Sequence, residues 1–218
     1  MSKDEDGNAP AEPTRNSAAT IARILAGAEA EFGTKGLDGA KVEDIARAAG
    51  ISKQLIYHYF NGKDDLYSEM LAKIAQFNYE KLLEVDYENL EPVAAIRDYL
   101  HVLFDQYSNH PFSATVTVDQ GLHSGAQVRY NRNVDRMRST FRKRLGDALD
   151  RGKAAGLFTA DMDVEMLHFL SVVMITGCLS LRKMFTRYAG ALPDEGAPQD
   201  ADFWRGYVTE FFLRAMRP

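Results

Sequence analysis

The stretch from about Lys41 to Phe60 restricts the fold of this chain more than any other feature of its sequence. Two short helices that cross steeply through a tight turn make strict local demands. The first helix must be small where the second passes over it, and Ala46 meets that need. The turn needs a residue tolerant of positive φ four positions later, which is Gly50. Ile51 plugs the corner, Ile56 anchors the second helix, and Val42 with Ile45 completes the buried face of the first. Ser52, directly after the plug, is placed to cap the second helix through its hydroxyl. The spacing predicts a helix-turn-helix, with helices from about Lys41 to Ala49 and from Ser52 to Tyr59.

The outer face of the second helix is then Lys53, Gln54, Tyr57 and His58. A glutamine bonds an adenine edge bidentately, while lysine and aromatic hydroxyls suit guanine or phosphate. Rings at Tyr57, His58 and Tyr59 are a poor choice for a short helix face that meets only water. Double-stranded DNA is the expected partner. A helix of about two turns makes few base contacts, so such modules work as dimers on two half-sites about one helical turn or more apart.

Around this motif the hydrophobic pattern is helical throughout. Ile21, Ile24, Leu25, Ala28 and Phe32 recur three and four apart, which predicts an amphipathic helix over Ala18–Phe32, stopped by Gly33 and Gly36. Asn61-Gly62 breaks the chain before a long helix from Lys63 to about Leu83. Pro92 opens another, running to Tyr107 and interrupted at His110-Pro111. Thr115 to Val118 has strand-like chemistry, yet no second such run exists to pair with it, so residues 112–124 are expected to be helical. A long helix follows from Ala126 to about Ala154, with Val134, Met137, Phe141, Leu145 and Leu149 on one stripe. Gly156 ends it, and Asp161 or Asp163 caps a helix reaching Tyr188. A Gly/Pro-rich loop over 189–200 leads to a last, aromatic helix, Ala201–Met216. The expected fold class is all-α, about nine helices and no sheet, preceded by a flexible acidic tail over residues 1–16.

Charge neither makes nor breaks the case for DNA. The net charge of −5 divides into −3 over residues 1–14, zero over 15–66 and −2 over 67–218, so the motif is less acidic than its flanks but forms no basic stripe. Arg132, Arg136, Arg138, Arg142, Lys143 and Arg144, in the basic run from Arg129 to Lys153, read as a solvated helix face with Asp135, Asp147 and Asp150 as partners. Cys178, the single cysteine, reads as a small buried hydrophobe and excludes an internal disulfide. The apolar run Met166–Leu181 is shorter than the roughly 20 residues that span a bilayer. It reads as a buried core helix, and with no targeting signal the chain is expected to be cytoplasmic and free of membranes.

From Ile21 to Leu66 the sequence resembles the tetracycline-repressor (TetR) family of bacterial one-component regulators. The resemblance is carried by Ala28 and Phe32, Gly33 and Gly36, Val42-Glu43-Asp44-Ile45-Ala46, Ala49-Gly50-Ile51-Ser52, Leu55-Ile56-Tyr57-His58-Tyr59-Phe60, then Lys63, Asp65 and Leu66. It implies a homodimer with a small N-terminal DNA-binding domain, placed at 17–62, and a C-terminal ligand-binding and dimerisation domain, placed at 63–218. Carried over by position, Lys53 and Gln54 would reach bases, the outward members of Tyr57, His58 and Tyr59 would touch phosphate, and Lys63 would clamp a phosphate at its helix N-terminus. The family commonly places a small hydroxyl residue just before the valine of helix two, where this chain has Ala40 and Lys41. Lys41 is expected to substitute with a salt-dependent phosphate contact. Ser52 completes the expected DNA-binding set.

The resemblance also implies that the last two helices pair with their copies in the homodimer, and that a small-molecule effector releases the protein from a pseudo-palindromic operator. The effector pocket is expected among helices between Ala94 and Met184, with His101, Tyr107, His123, Thr176 and Cys178 as candidate liners of mixed polarity. The histidines His101, His110, His123 and His168 lack paired ligand spacing with an acid, so neither metal nor cofactor is expected. No Gly-rich phosphate loop, catalytic Ser/His/Asp order or His-Glu-x2-His run is present, and no enzymatic activity is expected. At this level a small helical enzyme or carrier, and a regulator that activates or needs a co-repressor, stay open.

Overall fold

A computed structural model describes residues 15–110, 112–122, 131–159, 161–188 and 200–218. Among them are nine helices and no strand: α1 (Arg15–Gly39), α2 (Val42–Ala49), α3 (Lys53–Tyr59), α4 (Lys63–Leu83), α5 (Pro92–Asn109), α6 (Ser113–Leu122), α7 (Arg132–Ala154), α8 (Val164–Tyr188) and α9 (Ala201–Ala215). The segment with strand-like chemistry is helical in α6, as lone strand chemistry with no partner must be. Residues 1–14 of the acidic tail, the loop over 189–199, and the expected start of α7 before Asn131 lie outside the described residues.

α1 corrects one expectation. It runs past Gly33 and breaks only at Gly36, whose φ of 67° and ψ of 179° no helix contains. Gly33 serves packing instead, by admitting the Phe112 ring against α1. Of Asp161 and Asp163, Asp163 caps α8, and Asn131 and Asp200 cap α7 and α9. Asn131 Oδ1 accepts from the N–H groups of Asn133 and Val134, Asp163 Oδ1 from Met166 and Asp200 Oδ1 from Asp202. Gly156, with φ of 68°, turns the chain after α7.

Two buried clusters organise the helices. The first gathers Ile24, Ala28 and Phe32 of α1 with Ile45 of α2, Ile56 of α3 and Leu66 of α4. Phe32 and Tyr67 meet edge to face, 4.9 Å between centroids, which ties α1 to α4. The second packs Leu82, Tyr99, Phe104, Phe141, Leu145 and Leu167, with Val208 and Phe212 of α9. α4 contributes its N-terminal half to the first cluster and Leu82 to the second, so one helix is rooted in both. Val116 of α6 also belongs to the first cluster.

The basic face of α7 is only partly what its sequence suggests. Lys143 pairs with Asp147 at 2.7 Å, Lys153 with Asp150 at 3.3 Å and Arg138 with Asp135, as expected of a solvated face. Arg144 instead donates to Leu83 O at 2.8 Å, to Val85 O at 3.3 Å and to Glu88 Oε1 at 3.1 Å. Arg151, from the same helix, donates to Glu88 O, Tyr87 O and Leu90 O. These two guanidiniums satisfy carbonyls of the turn between α4 and α5.

α8 is the larger departure. Its sequence reads as a buried core helix, yet only 22% of the window Val164–Leu181 is buried. Leu167, Ser171, Ile175 and Thr176 face the core, while Met166, Phe169, Val173 and Leu181 face outward. By length and composition that window could cross a membrane. A helix apolar all round but buried on one side has an outer face that needs a partner.

Candidate nucleic-acid interface and interior cavity

The turn between α2 and α3 has the geometry its spacing demands. Gly50 caps α2 with φ of 62° and ψ of 42°, and its N–H reaches Ala46 O and Arg47 O. Ile51 N donates to Ala46 O at 3.0 Å, holding the half-buried Ile51 side chain against the first cluster. Ser52 stands at the N-cap of α3 and its Oγ accepts from Leu55 N at 3.2 Å. One further contact lies beyond the reach of the spacing. Arg23 of α1 donates from Nη2 to Ala49 O at 2.6 Å and Gly50 O at 2.9 Å, bolting the turn to α1. Nothing in the sequence around Arg23 separates it from an ordinary surface arginine.

Lys53, Gln54, Tyr57 and His58 all lie on the exposed face of α3. Tyr59 does not: it is half-buried against the first cluster, with its ring edge-on to His58 at 5.1 Å. Lys53 pairs with Glu43 of α2 and its Nζ lies 5.6 Å from the centroid of the Tyr57 ring. The pairing raises the pKa of Lys53 and lowers that of Glu43. Lys41 is exposed at the N-cap of α2, where its side chain makes no cap bond. Lys63 is half-buried, its Nζ 3.3 Å from both Asp38 O and Ala40 O, so it fastens the end of α1 to the start of α4.

Between α4, α5, α6, α7 and α8 lies a cavity of about 440 Å³. Leu71, Ile74, Leu103, Val116, Val134 and Val172 supply apolar wall. Its polar lining includes Asn78, Gln106, Tyr107, Thr117 and His168. The Tyr107 hydroxyl meets Thr117 Oγ1 at 3.3 Å, and burial raises the Tyr107 pKa. Tyr99 Oη lies 2.9 Å from His168 Nδ1, and burial pushes the His168 pKa down to about 4, so the ring is neutral near pH 7. Among the described residues, Asp135 and Arg138, paired with each other, are the only charged members of the lining.

The candidate liners separate sharply. Tyr107 lines the cavity, whereas His101, Thr176 and Cys178 do not, and His123 lies outside the described residues. His101 sits near Arg205 and Arg97, its pKa lowered by burial and then by those two cations. Thr176 spends its hydroxyl on Val172 O at 2.7 Å and Val173 O at 3.2 Å, within its own helix. Cys178 packs half-buried beside the second cluster, and burial raises its thiol pKa. Sequence reasoning misses Gln106, Asn78, Thr117 and His168 as liners, together with the large share that α4 contributes. Among the described residues no group of three or more His, Cys, Asp or Glu side chains is placed to hold a metal ion.

Comparison with known proteins bears on both regions. The family model described as bacterial regulatory proteins, tetR family, matches residues 24–70, and one described as tetracyclin repressor-like, C-terminal domain, matches residues 92–209. The chain is 27% identical over 197 residues to the HTH-type transcriptional repressor NicS of Pseudomonas putida, covering 89% of this chain and 91% of that one. It is 26% identical over 145 residues to the HTH-type transcriptional repressor KstR2 of Mycobacterium tuberculosis, covering 66% of this chain and 72% of the other. Among solved structures, a tetR-family regulatory protein from Rhodococcus RHA1 superposes with a TM-score of 0.69 at 16% identity, over 91% of this chain and 97% of its own. The ketosteroid transcriptional regulator KstR2 of Mycobacterium tuberculosis gives a TM-score of 0.63 at 21% identity, over 96% and 98%.

Proposed function

The chain belongs to the tetR family of bacterial regulatory proteins, and on that premise we propose that it is a cytoplasmic homodimeric repressor whose operator grip is released by a small-molecule effector. The observation that carries this reading is the exposed, Ser52-capped face of α3 standing on a Gly50 corner. That face presents Lys53, Gln54, Tyr57 and His58 to a major groove. Lys41, beside it, is free to meet a phosphate, while Lys63 fixes the α1–α2 junction and offers its remaining N–H to a DNA phosphate. Residues 17–62 act as the DNA-binding unit and residues 63–218 as the unit for effector binding and dimerisation.

The dimer is assigned to α8 and α9. Phe169 and Val173 of α8, with Phe203, Tyr207 and Phe211 of α9, form outward apolar stripes. Gly177 and Gly206 lie among them, and a Cβ at either would meet nothing within 4 Å, so a second helix has room to approach closely. A second copy is a better fit than a bilayer, because α9 continues the apolar face while Arg205 and Glu210 interrupt its sides.

Effector action requires the cavity to favour a conformation with a poorer grip on DNA. The cavity is well sited for it, since Leu71 and Val116 line it and also belong to the first cluster. Selecting duplexes from a random pool with the full-length protein tests the reading. An inverted repeat with half-sites about one helical turn or more apart is expected; recovery of no repeated half-site overturns it.

A further inference from the structure

We infer that the effector is a neutral, mainly apolar molecule carrying one hydroxyl or amide N–H donor, held by the side-chain oxygen of Gln106. This rests on reading the cavity as the effector site.

Two independent observations lead there. The first is an unsatisfied acceptor. Gln106 lines the cavity at 7% exposure, and its Nε2 donates to Asn78 O at 2.9 Å. That bond fixes which end of the amide is which and leaves Oε1 buried with no partner. A buried carbonyl oxygen left unpaired is a standing cost to the fold, which a ligand donor would recover. Thr209 Oγ1, the other buried orphan among the described residues, is on α9 and does not line the cavity. Of the two orphans, only Gln106 belongs to the cavity lining.

The second observation is charge. Asp135 and Arg138 neutralise each other within one turn of α7. His168 is held neutral by burial, with Glu165 opposing that shift and Arg142 adding to it; those two groups are themselves paired. Tyr79 and Tyr107 have raised pKa values, so both remain protonated phenols. The described lining therefore carries no net charge. Among the described residues no unpaired charge is left to meet an anionic or cationic ligand, which would lose its hydration uncompensated there, whereas a neutral ligand carries no such cost. Leu71, Ile74, Leu103, Val116 and Val134 supply the apolar wall for the rest of the molecule. A cavity of about 440 Å³ has the size of a small-molecule site.

Three probes on one ring skeleton separate the possibilities: 2-naphthol (neutral, one donor), 2-methoxynaphthalene (neutral, no donor) and 2-naphthoate (anionic). Binding is read by calorimetry and thermal shift on the full-length protein without DNA. The expected result is that 2-naphthol binds about tenfold tighter than either of the others. Gln106→Leu and Gln106→Met should abolish the preference for the hydroxyl over the methoxy compound while retaining affinity for the ring. A preference for 2-naphthoate, no binding of any probe up to about 1 mM, or an unchanged hydroxyl preference in both folded variants overturns the inference. Selective binding of 2-naphthol that leaves a selected operator bound would keep the ligand chemistry and sink the effector reading. A protein that selects no operator would sink the regulator reading alone.

Discussion

Phe112 packs onto Gly33 so closely that a Cβ at residue 33 would lie 2.2 Å from the Phe112 Cβ. The contact joins α1, which braces the helix-turn-helix of α2 and α3, to the turn that opens α6, whose Val116 and Thr117 line the cavity. Gly33→Ala must displace the ring or the helix. It is expected to destabilise by about 1–3 kcal/mol in urea unfolding. Gly33→Ala combined with Phe112→Gly should recover part of that loss, because only glycine at 112 lacks the Cβ that would lie 2.2 Å away. Additive losses in the double variant would show that the contact is not the cause.

Arg23 should matter to DNA more than to the fold. Its two bonds to Ala49 O and Gly50 O hold the corner that sets the angle of α3. Arg23 is exposed, so Arg23→Met should cost only about 1 kcal/mol of stability. Operator affinity, read by fluorescence anisotropy, should fall by about tenfold or more as the recognition face loses its fixed orientation. Equal affinity with an unchanged melt would mean that the corner holds its angle without Arg23.

The pair Lys53–Glu43 predicts opposite effects from its two members. Lys53 has to leave Glu43 to reach DNA, and the carboxylate repels phosphate as well. Glu43→Gln should therefore tighten operator binding by roughly two- to tenfold at low salt. Lys53→Met should weaken it and flatten the plot of log affinity against log salt by about 0.9 for each phosphate no longer neutralised. If Lys53 reads a base and no phosphate, the affinity falls while the slope holds.

Neutral His168 ties stability to pH. Burial lowers its pKa to about 4 in the folded protein, while in the unfolded chain the ring titrates near 6.5. Between those values the unfolded chain binds the extra proton, so stability rises with pH across this window. It is fully present above about 6.5 and is lost as pH falls toward 4, at no more than about 1.4 kcal/mol per unit. Denaturant melts at several pH values should show this slope in the native protein and less of it in His168→Gln. Parallel curves for the two proteins would assign the pH dependence to other groups.

How much of the fold is legible in the sequence depends on how local each demand is. Ala46, Gly50, Ile51 and Ser52 answer to one turn, so their spacing alone locates it, and the structure puts each in its slot. Gly33 misleads because a glycine that admits a ring looks, in sequence, the same as one that stops a helix. The cavity is harder still. It is assembled from five helices, and polarity within an apolar run does not say which way a side chain turns. Thr176 and Cys178 fit that description yet lie off the cavity, while Gln106 and His168 lie on it. The apolar run Met166–Leu181, which holds Phe169 and Val173, reads as core by composition because an interface and a core have the same composition, and only the family resemblance assigns that helix to a dimer.

That last ambiguity gives the sharpest test of assembly. Phe169 is 62% exposed and Tyr207 60%, so a charge at either site is harmless to an isolated protomer. Leu167, two residues before Phe169, is fully buried. Phe169→Glu and Tyr207→Glu should keep the helical signal and unfold near the native temperature, but sediment as monomers at micromolar concentration. Operator affinity should then fall by about 100-fold or more, since one α3 reads only one half-site. Leu167→Glu should instead unfold the chain, because it buries an unpaired charge. The contrast between neighbours is what separates an interface from a core: if Phe169→Glu also unfolds, α8 is closed by its own chain, and if both surface variants remain dimeric, the two-fold axis lies elsewhere.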